Sequence, residues 1–212
     1  MKNGNLEKIF RTCLIAMVTI HFFGVLGISS NSKELFLSTT PFVLLLSTIC
    51  LFLNFQRISK YLFSLLLICA AIGYSAEVIG VQTGYLFGNY YYGETLGLKV
   101  YGVPLTIAVN WASLCIASAS IMHRVKLYRP LQIIIATLIP VVIDIMMEPL
   151  CSELDFWHWT SGQVPVLNYL TWFVFSLLFC AIYIVSKVEL RNRFAKYYLL
   201  IQITFFGLLN LL

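Results

Sequence analysis

The chain has 212 residues, 60% of them hydrophobic and only 11% charged, with a mean hydropathy of +0.88. That balance excludes a water-soluble domain, because too little polar surface remains to cover a globule of this size. The formal charge of +5 requires no nucleic acid, since basic residues at a bilayer rim facing anionic lipid account for it.

A hydrocarbon core of roughly 30 Å takes about 20 apolar residues per helical crossing. Seven stretches qualify, near 9–28, 36–55, 61–82, 103–122, 130–149, 166–186 and 196–212. A β-barrel would show alternating segments of about ten residues, whereas these runs are unbroken. The expected fold is therefore all-α: a polytopic integral membrane protein with about seven transmembrane helices, forming one domain over 1–212 in the cell inner (plasma) membrane.

The first run follows a polar MKNGNLEK segment and contains His21, which either relays protons or bonds a neighbouring carbonyl. No small-residue cleavage site follows it, so it is expected to stay as a helix. The second run, PFVLLLSTICLFLNF, carries no ionisable group and is assigned to packing. In the third, Ala70, Gly73, Ala76, Glu77, Gly80 and Gly84 make a small-residue face that lets helices approach closely, with an acid on it. An acid in hydrocarbon is expensive and is retained either as an interhelical strut or for function. The loop 85–102 holds Tyr85, Phe87, Tyr90, Tyr91, Tyr92 and Tyr101 among glycines, a pattern that suits an interfacial aromatic belt or a folded cap over a cavity.

Pro104 opens the fourth helix, where a missing N–H costs nothing, and the helix then presents Asn110 and Trp111. In the fifth, Asp144 and Glu148 are four residues apart and share a face, and Pro149 is expected to end the helix. Two acids on one apolar face do not both ionise cheaply, so one is expected to carry a proton and the other not. General acid–base chemistry needs that arrangement. The loop Trp157-His158-Trp159 follows, then Pro165 opens a helix carrying Asn168 and Trp172. Each Trp lies seven residues after its Pro, at 104/111 and 165/172, which suggests two related helix-loop-helix units near 61–122 and 130–186 facing one pocket. The last run has Lys196 only at its edge, which excludes a retinal Schiff base within it.

Taking the N-terminus and every second connection gathers twelve of the fourteen basic residues on one side, leaving Lys33 and Lys99 on the other. The N-terminus is therefore expected to be cytoplasmic. Glu77, Glu94, Asp144, Glu148, Glu153 and Asp155 fall toward the opposite side, so the pocket is expected near the outer leaflet. No metal is expected, because His158 has no second ligand at metal spacing and the six cysteines are scattered without a CxxC. Phosphate-binding and dinucleotide fingerprints are missing from the sequence as well.

The strings Glu77-x-x-Gly80, Thr83-Gly84 and Phe87-Gly88, then Gly102-Val103-Pro104 to Trp111, Asp144-x-x-x-Glu148-Pro149, Trp157-x-Trp159 and Val164-Pro165-x-x-Asn168 to Trp172 resemble the membrane carotenoid-biosynthesis family, which includes carotenoid 1,2-hydratases. The resemblance covers roughly 60–190, with Gln163 and Thr171 standing where that pattern has Gly. It implies hydration of the terminal 1,2 double bond of a linear (ψ) carotenoid end, by acid catalysis through a tertiary carbocation. The partners would be membrane lipid, water and a γ-carotene- or lycopene-like substrate, with no cofactor. On this reading Glu77, Asp144 and Glu148 are catalytic, with Asp144 or Glu148 as proton donor. Thr83, Tyr90, Asn110, Trp111, Trp157, His158, Asn168 and Trp172 would bind substrate. An end-group cyclase or isomerase would use the same acid and cation but lose a proton instead of adding water. A proton-coupled transporter also uses intramembrane acids, although there they sit at mid-depth.

Overall fold

In the computed structural model, which describes residues 2–186 and 188–212, helices dominate. They are α1 (Lys2–Ile28), α2 (Lys33–Ser38), α3 (Thr40–Leu53), α4 (Lys60–Thr83), α5 (Leu105–Met122), α6 (Arg129–Cys151), α7 (Val166–Val185) and α8 (Ala195–Leu209). Five are long and apolar enough to cross a membrane: α1 from Gly4 onward, α4, α5, α6 and α7. The other two expected spans are shorter, 14 residues in α3 and 15 in α8.

The run expected at 36–55 is not one helix. Thr39 caps α2 with its backbone N–H, and α3 restarts with Pro41 in its first turn. Proline offers no N–H and its ring crowds the preceding turn, so a continuous helix is broken there. Pro149, in contrast, does not end α6, which carries both Pro140 and Pro149 and runs on to Cys151. Neighbouring helices tolerate the bonds that proline removes in this setting.

α5 is the hub. It packs against α3, α4, α6, α7 and α8, and 14 of its 18 residues are buried, Ala, Ser and Cys prominent among them. Small side chains bring backbones close, and the buried Ser118 and Ser120 hydroxyls return to carbonyls four residues back, at 2.8 and 2.7 Å. All six cysteines are buried free thiols, which pack as small apolar residues.

Connections alternate between the two ends of the bundle. At one end Glu7 meets Arg193 at 2.9 Å, and Phe55 bridges Asn192. At the other, Lys33 pairs with Glu153 at 2.7 Å, and Lys99 pairs with Glu94 at 2.8 Å. The two basic residues that fell outside the basic rim in the sequence are thus neutralised by acids. At this second end the two long loops fold together. Strand β1 (Tyr90–Tyr92) pairs antiparallel with β4 (Trp157–Trp159), while β2 (Lys99–Val100) pairs with β3 (Val103–Pro104). The loop 85–102 is accordingly a folded cap.

Candidate active site

The β1–β4 ladder sets Tyr90 opposite Trp159, Tyr91 opposite His158 and Tyr92 opposite Trp157. Side chains alternate across a strand, so Tyr90, Tyr92, Trp157 and Trp159 point down into the bundle while Tyr91 and His158 point away. Three of the four inward rings are buried, and their edges interlock. Tyr90 lies 5.6 Å from Tyr92 and 5.1 Å from Trp159, and Tyr92 lies 6.1 Å from Trp157.

Beneath this aromatic roof, α4 and α6 bring up their acids. Glu77, Asp144 and Glu148 are buried, at 3%, 3% and 7% exposure. The Tyr90 hydroxyl donates to Glu77 Oε2. Glu148 Oε2 accepts from Trp159 Nε1 at 2.9 Å and from Trp157 Nε1 at 3.2 Å, while its Oε1 accepts from Asn168 Nδ2 at 2.8 Å. The same amide nitrogen lies 3.4 Å from Asp144 Oδ2, so Asn168 links the two acids of α6. None of the three meets a basic side chain among the described residues.

Pro104 and Pro165 cap α5 and α7 with nearly the same backbone, φ −65°, ψ 134° and φ −66°, ψ 141°. Two turns further on, Trp111 and Trp172 stack face to face, 3.7 Å apart and 7° from parallel. Phe87 covers Trp172's other side at 5.1 Å. Gly80 makes room for this ring: a Cβ there would sit 2.4 Å from Phe87 Cδ2. Gly88, at φ +101°, turns the chain where a Cβ would meet Pro165 at 2.6 Å, locking the first loop onto the start of α7. Thr171 Oγ1 donates to the Leu86 carbonyl at the same junction.

A cavity remains among Glu77, Tyr90, Tyr92, Ile107, Trp111, Asp144, Trp157, Trp159, Asn168 and Trp172. It leaves about 10 Å³ open to the centre of a water molecule, room for about one water. A second, far larger and apolar cavity of about 470 Å³ lies on the other side of α5 and α6, among α1, α3 and α8. Ile107 borders both.

The sequence-derived residues divide accordingly. Glu77, Asp144, Tyr90, Trp111, Trp157, Asn168 and Trp172 line the small cavity, and Glu148 is bonded to three of its walls. Asn110 faces the large cavity instead, along with His21, whose Nδ1 bonds the Met17 carbonyl at 2.8 Å. Thr83 ends α4 with its hydroxyl on the Ile79 carbonyl at 2.6 Å, outside both cavities. His158 stacks on Tyr91 at 5.0 Å and its Nε2 donates to Asp155 Oδ1 at 2.8 Å, above the roof. Partial burial opposes charge on Asp155, but the bonds from His158 and from the Glu94 amide, with Lys99 nearby, outweigh it and hold the carboxyl below its usual range.

Tyr92, Trp159 and Ile107 were not among the sequence-derived candidates. The alternation in Tyr-Tyr-Tyr and Trp-His-Trp carried the signal for the first two, since in a short strand the outer members of each triplet share a face. Nothing in the sequence marks Ile107, whose place between two cavities depends on how α5 is rotated in the bundle.

Comparison with curated proteins and with solved structures found no match. A family model described as carotenoid biosynthesis protein matches residues 39–212, from the start of α3 through every element of the site. The chain is therefore a member of the carotenoid biosynthesis protein family, a membrane-embedded helical protein with a role in making carotenoids.

Proposed function

We propose that this protein hydrates the terminal 1,2 double bond of a linear (ψ) carotenoid end, without a cofactor. The observation that carries the reading is the meeting of Glu77 and Asp144 around a space for about one water, roofed by aromatic rings, with Glu148 bonded to three of its walls. Adding water to an isolated alkene requires an acid that holds its proton until used, shelter for a tertiary carbocation, and a single water placed to capture it.

Asp144 is the proton donor in this scheme. It borders the cavity, and its one side-chain hydrogen bond among the described residues, from Asn168 at 3.4 Å, is long, which leaves a carboxyl oxygen free for the proton. Among the described residues Glu148 receives only N–H donors, and an indole N–H cannot accept a bond in return. Its environment thus suits a carboxylate that faces the developing cation. The alkene takes the Asp144 proton at its terminal-bond carbon, and the positive charge falls on the carbon bearing the methyl groups. Indole and phenol faces of Trp111, Trp157, Trp159 and Tyr90 spread that charge. Water adds to the cation and gives up a proton to Glu77 or Glu148, leaving a tertiary alcohol. Return of that proton to Asp144 resets the site, so protons and charge balance over the cycle.

Seven membrane crossings with a cytoplasmic N-terminus, in the plasma membrane, complete the proposal. The 14- and 15-residue helices α3 and α8 would cross with the help of flanking residues, and the site would lie near the outer leaflet. The two units α4–β1–α5 and α6–β4–α7 are read as related halves sharing one cavity.

Expression in cells that accumulate lycopene or γ-carotene tests the assignment. A pigment heavier by one water is expected. An isomeric product of unchanged mass would replace hydration with end-group cyclisation, and unchanged pigment would overturn the reading for these substrates.

A further inference from the structure

The large cavity is apolar apart from a few groups, and three of them are unusual. His21, Asn110 and Gln202 are each more than nine-tenths buried, at 7%, 8% and 6% exposure, and all three border it. Among the described residues neither amide side chain makes a hydrogen bond, and the His21 ring makes one, at Nδ1. A buried amide without a partner costs on the order of 1–3 kcal/mol, so two such amides and one free ring nitrogen around one space point to a ligand that satisfies them.

Their depth agrees. His21 lies seven residues before the end of α1, Gln202 seven before the end of α8, and Asn110 five after the start of α5, all measured from the capped end of the bundle. Because a carbonyl only accepts, His21 Nδ1 must donate to Met17, which leaves Nε2 as an acceptor. Nε2 therefore asks for an O–H, while the amides that border the same cavity offer N–H groups. A hydroxyl satisfies both demands, whereas a ketone or a bare hydrocarbon does not.

We infer that the 470 Å³ cavity holds an isoprenoid chain carrying a hydroxyl, bound by His21, Asn110 and Gln202, with the chain passing Ile107 toward the acid cavity. The volume is that of a small-molecule site and well above the voids that packing leaves. Ile107, common to both cavities, is the partition that the reacting end crosses. The hydroxyl subsite rests on its own groups. Only the direction of the chain rests on the hydration reading.

The test is binding, not turnover, on the full-length protein in detergent. Geranylgeraniol and its deoxy hydrocarbon are titrated against thermal stability and tryptophan fluorescence. The alcohol is expected to bind about tenfold more tightly than the hydrocarbon, the worth of about one good hydrogen bond. Asn110→Leu and Gln202→Leu should each bring the ratio toward one while hydrocarbon affinity holds. Equal affinities in the wild type, or a preference that survives both substitutions, would overturn the subsite. If a variant fails to fold, a diazirine analogue of geranylgeraniol on the wild-type protein decides: labelling on α1, α3 or α8 around the cavity supports it, and labelling confined to outward-facing residues overturns it. Loss of carotenoid hydration with this preference intact would refute the reaction and leave the subsite standing. Hydration without the preference would do the reverse.

Discussion

The two halves of the site share a plan and differ in what meets the acid. In α4–β1–α5, Glu77 takes a bond from the Tyr90 hydroxyl, a group that both donates and accepts. In α6–β4–α7, Glu148 takes three bonds, all from N–H groups, and a second acid stands one turn before it. The difference teaches that one fold can present carboxyls in separate hydrogen-bonding environments. A carboxyl facing a phenol can accept a hydrogen bond from it or, when protonated, donate one to it, whereas one ringed by indole and amide N–H groups can only accept.

Replacing the acids one at a time breaks this comparison hardest. If the proposed hydration holds, Asp144→Asn should lower its rate by about 10²–10⁴-fold, the usual worth of a positioned general acid. Glu148→Gln should cost as much and also disturb binding, since a glutamine NH2 would confront N–H donors, whereas Glu77→Gln keeps an oxygen for Tyr90 and should cost less. Single-turnover rates on purified protein with a γ-carotene-like substrate order the three. If Glu77→Gln were the worst, the halves would exchange roles.

The next effect concerns structure more than chemistry. Trp172 is clamped between Trp111 and Phe87, and it belongs to the second half while both of its neighbours belong to the first. Trp172→Ala should destabilise the protein by about 3–5 kcal/mol, a large buried aromatic being lost. Trp111→Phe keeps an aromatic face and should cost far less. Thermal denaturation in detergent reads both. Equal losses would mean that the stack is not what joins the halves.

How much of this was legible beforehand follows from what each residue depends on. Four of the long helices lie within two residues of the expected spans, because apolar runs of that length have one use in hydrocarbon, whereas α1 begins at Lys2, ahead of its apolar run near 9. The three acids stood out because charge there is costly, and they do converge. The break at Thr39 does not show in the sequence because Pro41 sits within a continuous apolar run, and α6 continues past Pro149 because neighbouring helices compensate for a proline that would otherwise stop it. His158 was grouped with Trp157 by adjacency, but strand alternation sends it upward. The role of Asn110 depended on α5 facing two cavities, which no spacing within one helix reveals.

A smaller effect separates the two indoles on Glu148. Trp159 Nε1 is closer, 2.9 Å against 3.2 Å for Trp157. Trp159→Phe removes a donor to a carboxyl and should cost about 1.5–3 kcal/mol if Glu148 is charged, with Trp157→Phe toward the lower end. Stability and rate measured together tell roof packing from charge support, since only the latter moves the rate.

The smallest expected effect lies above the roof, where Asp155 of the second half holds the first half's loop. Its Oδ2 accepts from the Glu94 amide at 2.7 Å and its Oδ1 from His158 at 2.8 Å. The folded carboxyl titrates below its usual value of about 3.9. A group depressed in this way contributes fully above that usual value, and the contribution fades as pH falls through the lower folded one. Protection of the Glu94 amide against hydrogen exchange should therefore hold at pH 6 and decline below about pH 4. In Asp155→Asn it should be weak at both pH values. Because Asp155 is partly exposed, solvent screens the interaction and the change should be confined to the cap, leaving α4 and α6 protected. If their protection collapsed together with the Glu94 amide, the two halves would be held by this surface tie rather than by the Trp111–Trp172 stack.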